Sequence, residues 1–156
     1  NKTLWAGFAL VTPERRIFFS GDSGYGKHFA EIGARFGGFD LAMLDCGQYD
    51  ENWRYVHMMP EDTAQAAEDL RARALLPGHM GKFAIAYHTW DDPFKRIVAA
   101  SRGKPYRLLL LINGMKSSGK KRDNLGSIGK DFRWECNSIA ESATKKEGNQ
   151  PSFFVV

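Results

Sequence analysis

Short apolar runs alternate along the first hundred residues with stretches whose apolar positions follow a helical spacing. Thr3 to Val11 is apolar enough for a strand, Thr12-Pro13-Glu14-Arg15 reads as a turn, and Arg16-Ile17-Phe18-Phe19-Ser20 as a second strand. Two strands joined this tightly predict a hairpin. Gly21-Asp22-Ser23-Gly24 breaks the pattern, and Lys27 to Phe36 takes helical spacing, with Phe29, Ile32, Ala34 and Phe36 available for burial. Gly37-Gly38 ends that helix, as glycine does at a C-terminal cap. Phe39 to Leu44 is a short buried strand running into a polar loop, Asp45 to Met59. Pro60-Glu61-Asp62 starts a helix, because proline fits the first turn and acids favour the positive end of the dipole; it is predicted to reach about Arg73. Ala74-Leu75-Leu76 is the next strand, Pro77 to Gly81 the loop after it, and Pro93 to Ser101 a further short helix.

Hairpin, helix, strand, helix, strand, helix is an α/β order with short connections. Polar chemistry falls just beyond strand ends, at Asp22, Asp45 and His79, where layered α/β proteins commonly build their sites. After Tyr106 the character changes. Asn113 to Gln150 is rich in Gly, Ser, Lys and Asn, with Phe132–Trp134 and Phe153–Val156 as apolar islands. The expected division is therefore residues 1–106 as one folded unit and 107–156 as a basic tail.

Composition narrows the classes. At 156 residues, with 43% hydrophobic and 26% charged positions, the chain suits one globular domain or part of a larger one. No apolar run approaches the roughly 20 residues of a membrane span, and Asn1 to Phe8 shows no secretory signal. The start at Asn1 suggests a trimmed, processed or truncated chain. Two distant cysteines, Cys46 and Cys136, argue against a disulfide framework or a zinc ribbon and fit a reducing cytoplasm. Charges balance over residues 1–106, so the net +4 falls on the tail; without interleaved aromatics it predicts no nucleic-acid partner.

Individual residues then carry candidate chemistry. Asp22, between glycines just past a strand, suits a carboxylate bridging metal ions, or else a turn-forming aspartate bonded to its own backbone. His79, between Gly78 and Gly81, can offer a ring nitrogen to zinc or be a plain surface histidine. His57, ahead of Pro60-Glu61, is placed to act as a substrate-facing acid or base, or simply to enter the helix. His88 is a candidate for supporting the ligands from behind, and His28 reads as a solvent-facing helix residue. Gly21–Lys27 and Gly114–Lys120 nearly match a phosphate-cradling loop, but His28 and Lys121 stand where a magnesium-binding hydroxyl is needed.

In order, Leu4-Trp5-Ala6-Gly7-Phe8, Ile17 to Tyr25, Phe39-Asp40-Leu41-Ala42, His57 to Asp62 and Pro77 to Phe83 resemble the second half of the metallo-β-lactamase-fold hydrolases. Over roughly residues 1–104 the series is most similar to the branch of N-acyl-phosphatidylethanolamine-hydrolysing phospholipase D and ascorbate-6-phosphate lactonase-like enzymes. The resemblance implies an αββα sandwich of which only the C-terminal half is present. It implies that Asp22 matches the metal-bridging aspartate, His79 the last metal-binding histidine and His57 a histidine near the substrate. It further implies a two-zinc centre, with manganese or iron chemically suitable, hydrolysing a phosphodiester, lactone or ester of a small-molecule or lipid-like substrate. The His-x-His-x-Asp-His motif of that family is absent, and Asp22 with His79 alone does not close a tetrahedral zinc site. The expectation is thus a truncated hydrolase, weak or inactive as it stands. The alternative is a non-catalytic half-domain that forms a homo-oligomer or pairs with another chain.

Overall fold

The computed structural model describes residues 5–82, 85–110 and 152–155. Strand β1 (Phe8–Val11) turns through Thr12–Arg15 into β2 (Arg16–Phe19), and the two pair antiparallel with Phe8 opposite Phe19. The turn is held by the Thr12 hydroxyl, which accepts the Arg15 amide at 2.9 Å. Helix α1 (His28–Phe36), strand β3 (Leu41–Asp45), helix α2 (Pro60–Asp69), strand β4 (Ala74–Gly78), helix α3 (Asp92–Ala100) and strand β5 (Arg107–Leu108) follow. β6 (Ser152–Val155) adds antiparallel to β1. The sheet order is β5-β4-β3-β2-β1-β6, with β2 through β5 parallel.

That order places the helices. Each parallel step from β2 to β5 moves one strand in the same direction, and right-handed crossovers then lay α1, α2 and α3 on one face. Side chains alternate along a strand, so one row of each strand meets the helices. Ala9, Phe18, Ala42, Leu44 and Leu75 form that row and pack with Phe29, Ala64, Ala67, Leu70, Phe94 and Ile97 in a single core. Phe18 is its centre, with its ring 6.3 Å from Phe29 edge-on and 5.4 Å from Phe39.

The opposite face has a different status. Phe8, Phe19, Met43 and Leu76 stand in register across four strands, a continuous apolar row. Phe8 is 45% and Phe19 48% exposed. A largely parallel sheet is normally covered on both faces. Of the four layers of an αββα sandwich, the described residues supply one sheet and one helical layer.

Boundaries differ from the expected ones for physical reasons. α2 stops at Asp69 rather than near Arg73, because Arg71 adopts a left-handed φ of 53° that turns the chain towards the sheet. β4 runs on through Pro77 to Gly78, paired with β3. The first strand is Phe8–Val11, with residues 5–7 of the expected run outside it and Thr3 and Leu4 outside the described residues, and Phe39 contributes an isolated bridge to Ala72. Of the expected basic tail, residues 107 and 108 form β5 and 152–155 form β6, while residues 111–151, with Phe132–Trp134 and Gly114–Lys120, lie outside the described residues. Among the described residues no helix is long and apolar enough to cross a membrane.

Candidate metal centre

The carboxyl ends of β2, β3 and β4 lie side by side, where open α/β sheets place their ligands. Asp22 follows β2, Asp45 closes β3, His57 lies in the β3–α2 loop and His79 directly follows β4. One ligand atom each from Asp22, His57 and His79 lies within 4.8 Å of the others, the one such group of three among the described residues. His79 Nδ1 is 3.9 Å from Asp22 Oδ1, and the His57 and His79 rings stack with centroids 5.0 Å apart. A carboxylate with two imidazoles is a donor set that suits zinc, manganese or iron. Three ligands can serve one such ion; a pair of ions needs more.

The backbone is shaped to bring these loops together. His79 is held at a left-handed φ of 61°, a conformation costing of order 1–3 kcal/mol that persists only where the surroundings impose it. Gly47 faces it so closely that a Cβ there would lie 2.0 Å from the His79 carbonyl oxygen. Gly24 likewise lets the Asp22 loop close on the Arg54–Tyr55 backbone, where a Cβ would meet Arg54 O at 2.5 Å. Beside Asp22 opens a cleft of about 440 Å³ with Trp5, Phe18, Tyr25, Phe29 and Tyr55 in its walls.

Asp45, which the sequence marks only as a polar residue at a strand end, reaches the same site. Its buried carboxyl group shares a hydrogen bond with His57 Nδ1 at 2.8 Å. Burial pushes the Asp45 carboxyl above its ordinary value, and the His57 bond opposes that rise. The only signal for it in the sequence is an acidic residue ending an apolar strand.

The other histidines stand apart. His88 Nε2 accepts the Gln48 amide at 3.0 Å, its Nδ1 bonds to Thr89 O at 2.9 Å, and its ring stacks on Tyr49. It braces the loop after β3, where Gln48 also has a left-handed φ, and lies outside the ligand group. His28 is exposed on α1. The Gly21–Lys27 stretch, one near match to a phosphate loop, carries Asp22 into the ligand group.

Residues 1–80 match the family model described as the beta-lactamase superfamily domain. The chain is 63% identical over 82 residues to outer membrane protein RomA of Klebsiella pneumoniae, covering 53% of this chain and 62% of RomA. It is 37% identical over 102 residues to the mitochondrial N-acyl-phosphatidylethanolamine-hydrolyzing phospholipase D of Saccharomyces cerevisiae, covering 62% of this chain and 22% of that enzyme. A metal-dependent hydrolase of Pyrobaculum neutrophilum is 30% identical over 106 residues, covering 68% of this chain and 44% of its own length. The chain thus spans less than two thirds of each of these relatives. In fold it is similar to the metallo-beta-lactamase fold protein YhfI of Bacillus subtilis, with a TM-score of 0.50 at 17% identity over 67% of this chain and 40% of that one. With the family model matching just over half of its residues, the chain belongs to the beta-lactamase superfamily domain family.

Proposed function

We propose that this chain carries part of a metal-dependent hydrolase centre in which Asp22 and His79 hold the metal and His57 is the acid–base residue. The observation that carries the reading is the convergence of Asp22, His57 and His79 from the segments that follow β2, β3 and β4 to within 4.8 Å. Zinc is the proposed metal; bound there it would polarise the scissile bond and lower the pKa of water. The chain's own residues supply the rest. Asp22 and His79 are the hold, His57 accepts or returns a proton, and the aromatic cleft beside Asp22 shields the organic part of the substrate from water. That lining suits a small-molecule or lipid-like phosphodiester, lactone or ester, in keeping with the phospholipase named among the relatives.

Asp22 and His79 alone fall short of a two-metal centre, so the isolated chain is expected to turn over weakly or not at all. Metal analysis combined with hydrolysis of bis(p-nitrophenyl) phosphate, an aryl ester and a lactone tests this. Expected are less than two zinc ions per chain and little or no turnover. Two bound ions with sustained turnover would overturn the weak-activity part, and a chain with no affinity for zinc would overturn the metal centre.

A second reading, a half-domain that self-associates or pairs with another chain, is favoured by the open row Phe8–Phe19–Met43–Leu76. Light scattering that shows a monomer at high concentration contradicts self-association. For the compartment, the free, buried Cys46 supports the cytoplasm, whereas the name of the RomA relative points to the outer membrane; fractionation decides between them.

A further inference from the structure

Asp45 ends β3 with a side chain wholly removed from solvent, where a carboxylate is costly unless it is hydrogen-bonded. Three nitrogens converge on it. His57 Nδ1 reaches Oδ2 at 2.8 Å, the Ser23 amide the same oxygen at 3.3 Å, and the Gly47 amide Oδ1 at 3.4 Å. Two of these donors are backbone amides, which have no acceptor alternative, so both oxygens face donors; that pattern favours the ionised acid. The same residue ties the site loops together. Ser23 adjoins Asp22, the Asp45 amide donates to Ser20 Oγ at 3.0 Å, and the next amide, Cys46, donates to Gly78 O beside His79 at 3.1 Å.

We propose that Asp45 is the positioning residue of this site: by accepting the Nδ1 proton of His57 it fixes the imidazole in the tautomer that leaves Nε2 free. This rests on the hydrolase reading for its use and on geometry alone for its existence. In a hydrolysis, an O–H bond of the attacking water breaks and its proton passes to His57 Nε2; the oxygen's electron pair forms the new bond to carbon or phosphorus, the scissile C–O or P–O bond breaks with its electron pair on the leaving oxygen, and His57 Nε2 returns the proton to that oxygen. Asp45 keeps no proton itself; its negative charge steadies the imidazolium, and it holds the ring from turning over.

The test reads the tautomer directly and without metal. Long-range ¹H–¹⁵N spectra of the metal-free chain, labelled at histidine and assigned by loss of the signal in His57→Gln, report which ring nitrogen carries hydrogen. Wild type is expected to show Nδ1–H with an unprotonated Nε2. Asp45→Ala removes the acceptor and is expected to lose that pattern, while Asp45→Asn keeps it through its amide oxygen. A residue that merely fills space would leave the His57 pattern the same in Asp45→Ala. An Nε2–H or averaged pattern in wild type overturns the proposal even if Asp45→Ala does not fold. So does a pattern unchanged in a folded Asp45→Ala. Failure of the hydrolase reading would show instead in zinc binding and turnover, with this tautomer intact.

Discussion

Replacing Gly47 by alanine probes the contact on which the site geometry depends. The added Cβ would lie 2.0 Å from the His79 carbonyl oxygen, 2.7 Å from its carbonyl carbon and 3.1 Å from Met80 Cα. All three are backbone atoms, so no side chain can swing aside. About 1 Å of separation must open between the ends of β3 and β4, against the Cys46 amide bond to Gly78 O at 3.1 Å. Overpacking typically costs about 1–3 kcal/mol, and a backbone-to-backbone clash belongs at the upper end, so about 3 kcal/mol is expected. With a urea slope of about 1–3 kcal/mol per molar for small proteins, the unfolding midpoint falls by on the order of 1 M. Gly78→Ala is the control, since its Cβ would meet only Leu44 O at 3.6 Å, an ordinary contact. It is expected to stay within about 0.5 kcal/mol of wild type. Urea unfolding followed by circular dichroism reads both variants, and zinc titration of Gly47→Ala is expected to show weakened binding because His79 is displaced. A Gly47→Ala midpoint equal to that of wild type, or equal shifts in the two variants, would show that the close approach of Gly47 to His79 does not limit stability.

Two further outcomes follow from the core and from charge. Phe18→Ala empties the centre of the core between Phe29 and Phe39 and is expected to cost about 3–5 kcal/mol by urea unfolding; a loss below about 1 kcal/mol contradicts the packing described. Glu61 is held below its ordinary carboxyl value of 4.5, chiefly by hydrogen bonds from Arg96. Its contribution is fully present above pH 4.5 and is lost as pH falls through the lowered folded value, so wild type loses stability on acidification more steeply than Glu61→Gln. Parallel pH profiles for the two would contradict this.

The parts legible in the sequence are those set by local pattern. The hairpin follows from two apolar runs around Thr12–Arg15, and α1 from its spacing and the left-handed Gly37 that ends it. Asp22 and His79 stand out because each is a polar residue that follows a glycine, Gly21 or Gly78, near the end of a strand. What escaped is set by distant partners. Nothing around Asp45 tells that its carboxylate meets a histidine 12 residues on, in a loop whose path depends on Gly24 and Gly47. Pro77 lacks an amide hydrogen and so argues against a strand, yet β4 continues through it. The early stop of α2 is equally hidden, because an arginine rather than a glycine takes the left-handed position. β6 pairs with β1 from the far end of the chain, a contact no local period can reveal.

Asp22 and His79, with His57 beside them, are proposed to hold a metal ion. Calorimetric titration of zinc into the metal-free chain reads that binding. The expected result is saturable single-site binding that is lost in Asp22→Ala and in His79→Ala and unchanged in His28→Ala, whose histidine lies outside the group. No saturable binding, or binding that survives both substitutions, would contradict the account.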